Sequence, residues 1–422
     1  MAITGLTEES FKAILRENLT PASAISNPLH LKGREKRLRE IDRAFNSPGR
    51  HVFIFGDRGV GKTSLAQSAA VLHQSSDNHP IIIACDQGAG FFKLAQDIAR
   101  RCVPTREVVE RVKKTKQGGI NLFGLSLSAQ QLIEAGEVPL PASINDAVNL
   151  MRYICQFHSR EPVVIIDEFD QLLDATDRKY FADLIKQVSD QQIPLRFIFC
   201  GIGSTLENLI GVHLSTDRYL TPIELERLTH DARWQIMDTA AAALGLIIHE
   251  NLRIRIGQIS DGFPYYVHLI CEQMFWAVYD DPQFTTQCRP EHFTDGVAKA
   301  IEGSQTSLRL AYEKGTQKYT DDYQEVLWAV ADDAMLRRQV SDIFERSYHR
   351  IMADRPNRKI LTKEQFYNRM NALKDERHGC ILTSTGAGWY QFTENVIRGY
   401  VRLQAEKHGV TLGNDHFPVA QA

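Results

Sequence analysis

The sequence predicts an α/β fold: a five-stranded, mostly parallel sheet flanked by helices, then an all-helical segment, then a small C-terminal helix-and-strand module. Three observations carry this. Four short apolar runs, 51–55, 80–86, 161–169 and 195–201, alternate with helical stretches, and a weaker fifth follows at 218–225. Runs that are apolar on both faces and separated by helices are the signature of a parallel sheet covered on two sides. From about residue 229 the strand signals stop and helical patterns take over, until a strand, a Gly-containing turn and a second strand appear near 380–394.

The first run, His51–Phe55, is β-branched and aromatic, and an Ala/Leu-rich helix begins at Thr63. Between them "GDRGVGKTS" fits the spacing G-x-x-x-x-G-K-[ST], with Gly56, Asp57, Arg58, Gly59, Val60, Gly61, Lys62, Thr63 and Ser64 in place. Glycines at these positions let the backbone bring its N–H groups against phosphate oxygens, and the helix that follows points its positive end at the same anion. Lys62 supplies a cation for the β/γ-phosphates, and the Thr63 hydroxyl is a ligand for Mg²⁺. This is a phosphate-binding loop, and it implies ATP and Mg²⁺ as ligands.

The second run, 80–86, and the helix 91–102 continue the alternation. The segment 115–139 breaks it with glycines and reads as an inserted hairpin or loop. The third run supplies the other half of the site. Val163–Ile166 lead into Asp167 and Glu168, and an acid at the carboxyl end of a buried strand sits where α/β sheets bind ligands. Asp167 would hold Mg²⁺ opposite Thr63, and Glu168 would act as the general base that polarises the attacking water. The pairing of two acids separates hydrolysing ATPases from kinases and GTPases. Asp170 reads as a helix-start residue. The fourth run ends in "GIGSTLEN", where Ser204 and Thr205 offer hydroxyls that serve either as an N-cap or toward a ligand.

The helical region at 229–318 forms a lid, and 319–410 forms the last module, with a tail at 411–422. Three helices followed by an apolar strand, a turn and a second strand give a winged-helix pattern. The sheet domain takes residues 1–228. Arg355, Arg358 and Lys359 precede the candidate recognition helix, which carries Lys363 and Arg369, so double-stranded DNA is a candidate partner. Glu364, Asp375 and Glu376 oppose those cations, and docking of a protein partner is the other use of such a module.

Composition bounds the rest. The chain has 422 residues, 43% hydrophobic and 24% charged, with a net charge of −3, so two or three soluble domains are expected and no global basic field. Seven cysteines without a C-x-x-C pair read as reduced thiols of a cytoplasmic protein. No run approaches the length of a membrane span.

Taken together these motifs resemble the AAA+/STAND branch of P-loop ATPases, including archaeal-type STAND ATPases and origin-recognition initiators, over residues 25–405. The resemblance implies several further roles. "NPLHLKGRE" looks like the entry segment that packs near adenine, with Leu31, Gly33 and Arg34 at the matching positions. Ser204 falls where the branch keeps a γ-phosphate sensor. Arg218 falls where rings carry an arginine finger, the alternative being a surface ion pair with Asp217 or Glu224. "SDGFPYY" matches the G-x-P motif of the lid through Gly262 and Pro264, and the sensor-2 arginine of standard lids is absent from this stretch. The resemblance implies an ATP-hydrolysing switch that acts on a protein partner or assembles with itself. The alternatives are a DNA-loading factor of the initiator or transposition-regulator type, or a regulatory ATPase subunit of a defence system.

Overall fold

A computed structural model of the chain describes residues 6–74, 79–88, 90–102, 138–159, 161–212, 218–316 and 322–413. The hairpin or loop expected at 115–139 lies almost wholly outside them, as does most of the expected tail. The chain divides into two compact units, one of Ala24–Gly56 with Gly61–Glu226, the other of the N-terminal segment to Ser23, Asp57–Val60 and the chain from Arg227 onward. Helix α1 (Glu8–Asn18) belongs to the C-terminal unit.

The sheet unit follows the expected alternation: α2 (Glu35–Phe45), β1 (His51–Phe55), α3 (Lys62–His73), β2 (Ile81–Ala84), α4 (Phe91–Cys102) and α5 (Ile144–Phe157). It continues with β3 (Val163–Asp167), α6 (Ala175–Asp190), β4 (Arg196–Gly201), α7 (Gly203–Val212) and β5 (Leu220–Glu224). The strands run in the order β2-β3-β4-β1-β5, and every pairing is parallel. Val163, Val164, Ile165 and Ile166 are all fully buried, which is why this run shows no polar alternation. Helix α3 packs over β1, β3 and β4, while α4, α5 and α6 pack on one another. The order puts β1 beside β4 and β3 on β4's other side, so the loop after β1 and the acid ending β3 emerge from the same sheet edge.

In the C-terminal unit, α1 lays Phe11 on Tyr279 with ring centroids 4.5 Å apart, and on Trp276 at 4.8 Å. Next come α8 (His230–Ala243), β6 (Ile247–Ile248), α9 (Glu250–Ser260), α10 (Pro264–Asp280), β7 (Gln287–Cys288), α11 (Pro290–Gly303) and α12 (Thr306–Thr316). This segment is not wholly helical, as β6 and β7 form a two-residue parallel ladder that joins the turns before α9 and α11. Two residues are too few to leave a periodic signal. The final segment holds α13 (Asp322–Ala331), β8 (Arg338–Gln339), a helical run from Val340 to Ala353 with a π-helical middle, α14 (Lys363–Ala372), β9 (Leu382–Gly386), β10 (Trp389–Phe392) and α15 (Ile397–Lys407). β10 pairs antiparallel with both β8 and β9, in the order β8-β10-β9, with one more short strand than the sequence signalled.

Candidate functional site

The phosphate loop closes on itself. Gly59 and Gly61 take φ of 82° and 97°, values that only glycine adopts without strain, and Gly61 caps α3. Lys62 is the first residue of α3, and its Nζ donates to the carbonyl of Gly56 at 3.0 Å, arching back over the loop. Thr63 Oγ1 donates to Asp167 Oδ2 at 2.7 Å, and Asp167 Oδ1 accepts the N–H of Glu168 at 2.9 Å. Residues 104 positions apart thus form one polar centre at the carboxyl edge of the sheet.

Glu168 is exposed, with its backbone in the left-handed region at φ 51°. A non-glycine residue there costs about 1–3 kcal/mol and persists only when its surroundings enforce it. The next residue supplies the enforcement. Phe169 is fully buried among Phe53, Phe181 and Phe199, with centroids 6.1, 5.2 and 5.1 Å away. Gln171 N–H closes a turn on the carbonyl of Glu168 at 2.8 Å. The buried Phe169 ring thus anchors the backbone beside Glu168, whose side chain is exposed. Asp170 lies in this short turn, and the cap of the helix that follows is Asp174.

The field here is acidic. Burial pushes the Cys85 thiol up to about 12, and Asp167, Asp170, Asp86 and Glu168 push in the same direction. Cys200 is raised as well, first by burial and then by Asp167, with Lys62 opposing. Among the described residues no group of three or more His, Cys, Asp or Glu is arranged to hold a metal ion. With two protein oxygens, the Thr63 hydroxyl and the Asp167 carboxylate, a cation would keep positions for phosphate oxygens and water. That suits Mg²⁺, a hard ion bound by few protein oxygens and partly hydrated.

The remaining expected residues are distributed as follows. Ser64 Oγ accepts the N–H of Ile25 at 3.1 Å, and Ser68 Oγ donates to the Ile25 carbonyl at 3.1 Å, so the entry segment is stitched to α3. Leu31 and Arg34 are both buried. Burial lowers the Arg34 guanidinium to about 10, Arg37 adds to this, and Glu226 and Glu35 oppose it. Ser204 lies in the first turn of α7, and its side chain is outside the described residues. Arg218 is exposed, its guanidinium 5.6 Å from the centre of the Tyr219 ring, and Asp217 is outside the described residues.

In the C-terminal unit, Gly262 has φ 80° and is buried; a Cβ there would sit 2.8 Å from Arg227 Cβ. Pro264 opens α10. The residue before the glycine was not singled out from sequence and is the more unusual one. Asp261 is fully buried at φ 49° and meets Arg227 at 2.7 Å, Arg398 at 2.5 Å and Arg402 at 3.3 Å. The signal available was two arginines four apart in an otherwise buried helix, "IRGYVRL".

Most of the candidate DNA-contacting cations are engaged. Arg355 and Arg358 pair with Glu325, itself only 2% exposed, at 3.1 and 2.9 Å, and Arg355 covers the Trp328 ring at 5.0 Å. Lys363 meets Glu345 at 3.6 Å, and Arg369 meets Asp322 at 3.6 Å, while Lys359 is exposed. Among the described residues no helix is long and apolar enough to cross a membrane.

Residues 30–198 match the AAA ATPase domain family. The Walker-type ATPase of Pyrococcus abyssi superposes with a TM-score of 0.53 at 14% identity, over 90% of this chain and 99% of that one, a likeness of fold. The CDC6P protein of Pyrobaculum aerophilum gives 0.45 at 15% identity, over 94% of this chain and 98% of that one. The ORC2 protein of Aeropyrum pernix gives 0.46 at 13% identity, with the same two coverages. No curated protein matches the chain.

Proposed function

We propose, from the premise that residues 30–198 carry an AAA ATPase domain, that the chain is an ATP-hydrolysing switch whose nucleotide state controls engagement of a partner. The observation that carries this reading is the Thr63–Asp167 hydrogen bond of 2.7 Å, with Glu168 held out beside it. A hydroxyl and a carboxylate in contact at the end of a phosphate loop are the two hard oxygens that a nucleotide-bound Mg²⁺ requires. When bound, that ion neutralises charge on the β- and γ-phosphates. Lys62 adds a cation to the same phosphates. Glu168 accepts a proton from the attacking water, for which its exposed position is suited. Leu31, Arg34, Gly262 and Pro264 belong to the adenine and lid contacts, Ser204 to γ-phosphate sensing, and Arg218 to charge stabilisation in an assembled form.

The switch is favoured over DNA loading because four of the five candidate DNA-contacting cations are already paired with carboxylates of the same chain. The test is steady-state phosphate release with ATP and Mg²⁺, with and without double-stranded DNA. Lys62→Ala should abolish binding or turnover. Glu168→Gln should bind ATP and lose turnover by at least about 100-fold, the scale of general-base catalysis. Full turnover in Glu168→Gln would remove Glu168 from that role, and turnover that rises with DNA would restore the loading reading.

A further inference from the structure

The tip of the phosphate loop, Asp57–Val60, is part of the C-terminal unit and not of the sheet unit that supplies the rest of the loop. Three consecutive residues just before α15 account for this. Glu394 Oε1 meets Arg58 at 3.0 Å. Asn395 Nδ2 donates to Asp57 Oδ1 at 3.2 Å, and only the amide NH₂ can face that carboxylate. Val396 closes over Gly59 so tightly that a Cβ on the glycine would sit 2.9 Å from Val396 Cγ2. One ion pair, one hydrogen bond and one van der Waals contact thus fall on three successive loop residues from three successive partners.

The turn that makes these contacts is itself braced. The Ile397 N–H donates to the Glu394 carbonyl and the Arg398 N–H to that of Asn395, both at 3.1 Å. Tyr266, fully buried and two residues beyond Pro264, donates its hydroxyl to the Val396 carbonyl at 2.8 Å. Arg398, at the start of α15, is tied to Asp261. The clasp is therefore built on the same Asp261–Tyr266 stretch that carries the G-x-P motif.

We infer that Glu394, Asn395 and Val396 are positioning residues for the phosphate loop: they hold Asp57–Gly59 in the curled form and thereby set the affinity of the loop for nucleotide phosphates. The inference rests on the reading of this loop as a nucleotide site. The Asn395–Asp57 bond is the dominant contact, since Arg58 and Glu394 are 69% and 50% exposed and a pair in water contributes little.

The test is a reciprocal exchange. Asn395→Asp sets a carboxylate against Asp57, Asp57→Asn removes the acceptor charge, and the double variant D57N/N395D restores one donor facing one carboxylate. Each protein is followed by hydrogen exchange of the Asp57–Val60 amides without nucleotide, by binding of a fluorescent ATP analogue, and by kcat. The inference expects faster exchange and about tenfold weaker binding in N395D, the scale of a hydrogen bond to a charged group. It expects kcat of N395D within about twofold of the unsubstituted protein, and recovery of exchange and affinity in the double variant. Unchanged exchange in N395D, or changed exchange with unchanged affinity, overturns it, as does failure of the double variant to recover. Binding by the unsubstituted protein, compared with Lys62→Ala, reports separately on the nucleotide reading.

Discussion

Asp261→Asn is the substitution whose outcome the structure determines most closely. Asparagine has the same shape and tolerates the left-handed backbone at φ 49°, so geometry is kept and one negative charge is removed. Around that charge, Arg398 and Arg402 are fully buried and Arg227 is 22% exposed. Their hydrogen bonds largely survive: Arg402 still donates to the carbonyls of Ala331 and Asp333 at 2.8 and 2.9 Å, and Arg398 to that of Met335 at 3.4 Å. The loss is thus the counter-charge of two desolvated guanidinium groups, with Arg227 discounted for its exposure. Removing one partner of a buried pair costs about 3–5 kcal/mol. For a unit of roughly 200 residues, at about 2–4 °C per kcal/mol, the melting temperature should fall by about 6–20 °C. Differential scanning calorimetry reads this as a downward shift of the transition of the C-terminal unit. Arg402→Met placed on Asp261→Asn should recover part of the loss, because it removes an unpaired buried cation. A shift below about 2 °C, or a further loss in the double variant, would refute the view that Asp261 acts as a counter-charge.

Two other outcomes follow from single features of the site and core. Glu168→Gly should stabilise the sheet unit by about 0.5–1 kcal/mol, since glycine relieves the left-handed backbone at φ 51°, while turnover is lost; a fall in melting temperature would count against stored strain at this position. Acid should weaken both units, because burial lowers His51 to about 3 and His268 to about 4. Both act as neutral acceptors, His51 Nδ1 from the Phe197 N–H at 3.1 Å and His268 Nδ1 from the Thr20 N–H at 3.3 Å. Below the ordinary histidine value near 6.5 the unfolded chain takes up protons that the folded chain does not. Stability therefore falls as pH drops from about 6.5 toward 4, by about 3 kcal/mol for each histidine. Urea midpoints that stay level across that window would contradict this.

The sequence by itself determined the elements whose information is local. Five strands, the loop between β1 and α3, and the acid pair after β3 were all legible, because apolar runs, glycine spacing and a strand-terminal acid are written over a few neighbouring residues. Even the meeting of Thr63 with Asp167 was inferable, since the loop before Thr63 and the acid Asp167 both lie at carboxyl ends of strands of one parallel sheet. What joins residues far apart in the chain was decided only by tertiary structure. No periodicity marks α1 as a partner of Trp276 and Tyr279, and no motif pairs Arg355 and Arg358 with the buried carboxylate of Glu325. The three arginines on Asp261 and the Glu394–Val396 turn on the loop tip join residues 34 to 338 positions apart. Their physical cause is desolvation: a charge reads the same in sequence whether it ends in water or in the core, and only packing decides which carboxylate it must find there.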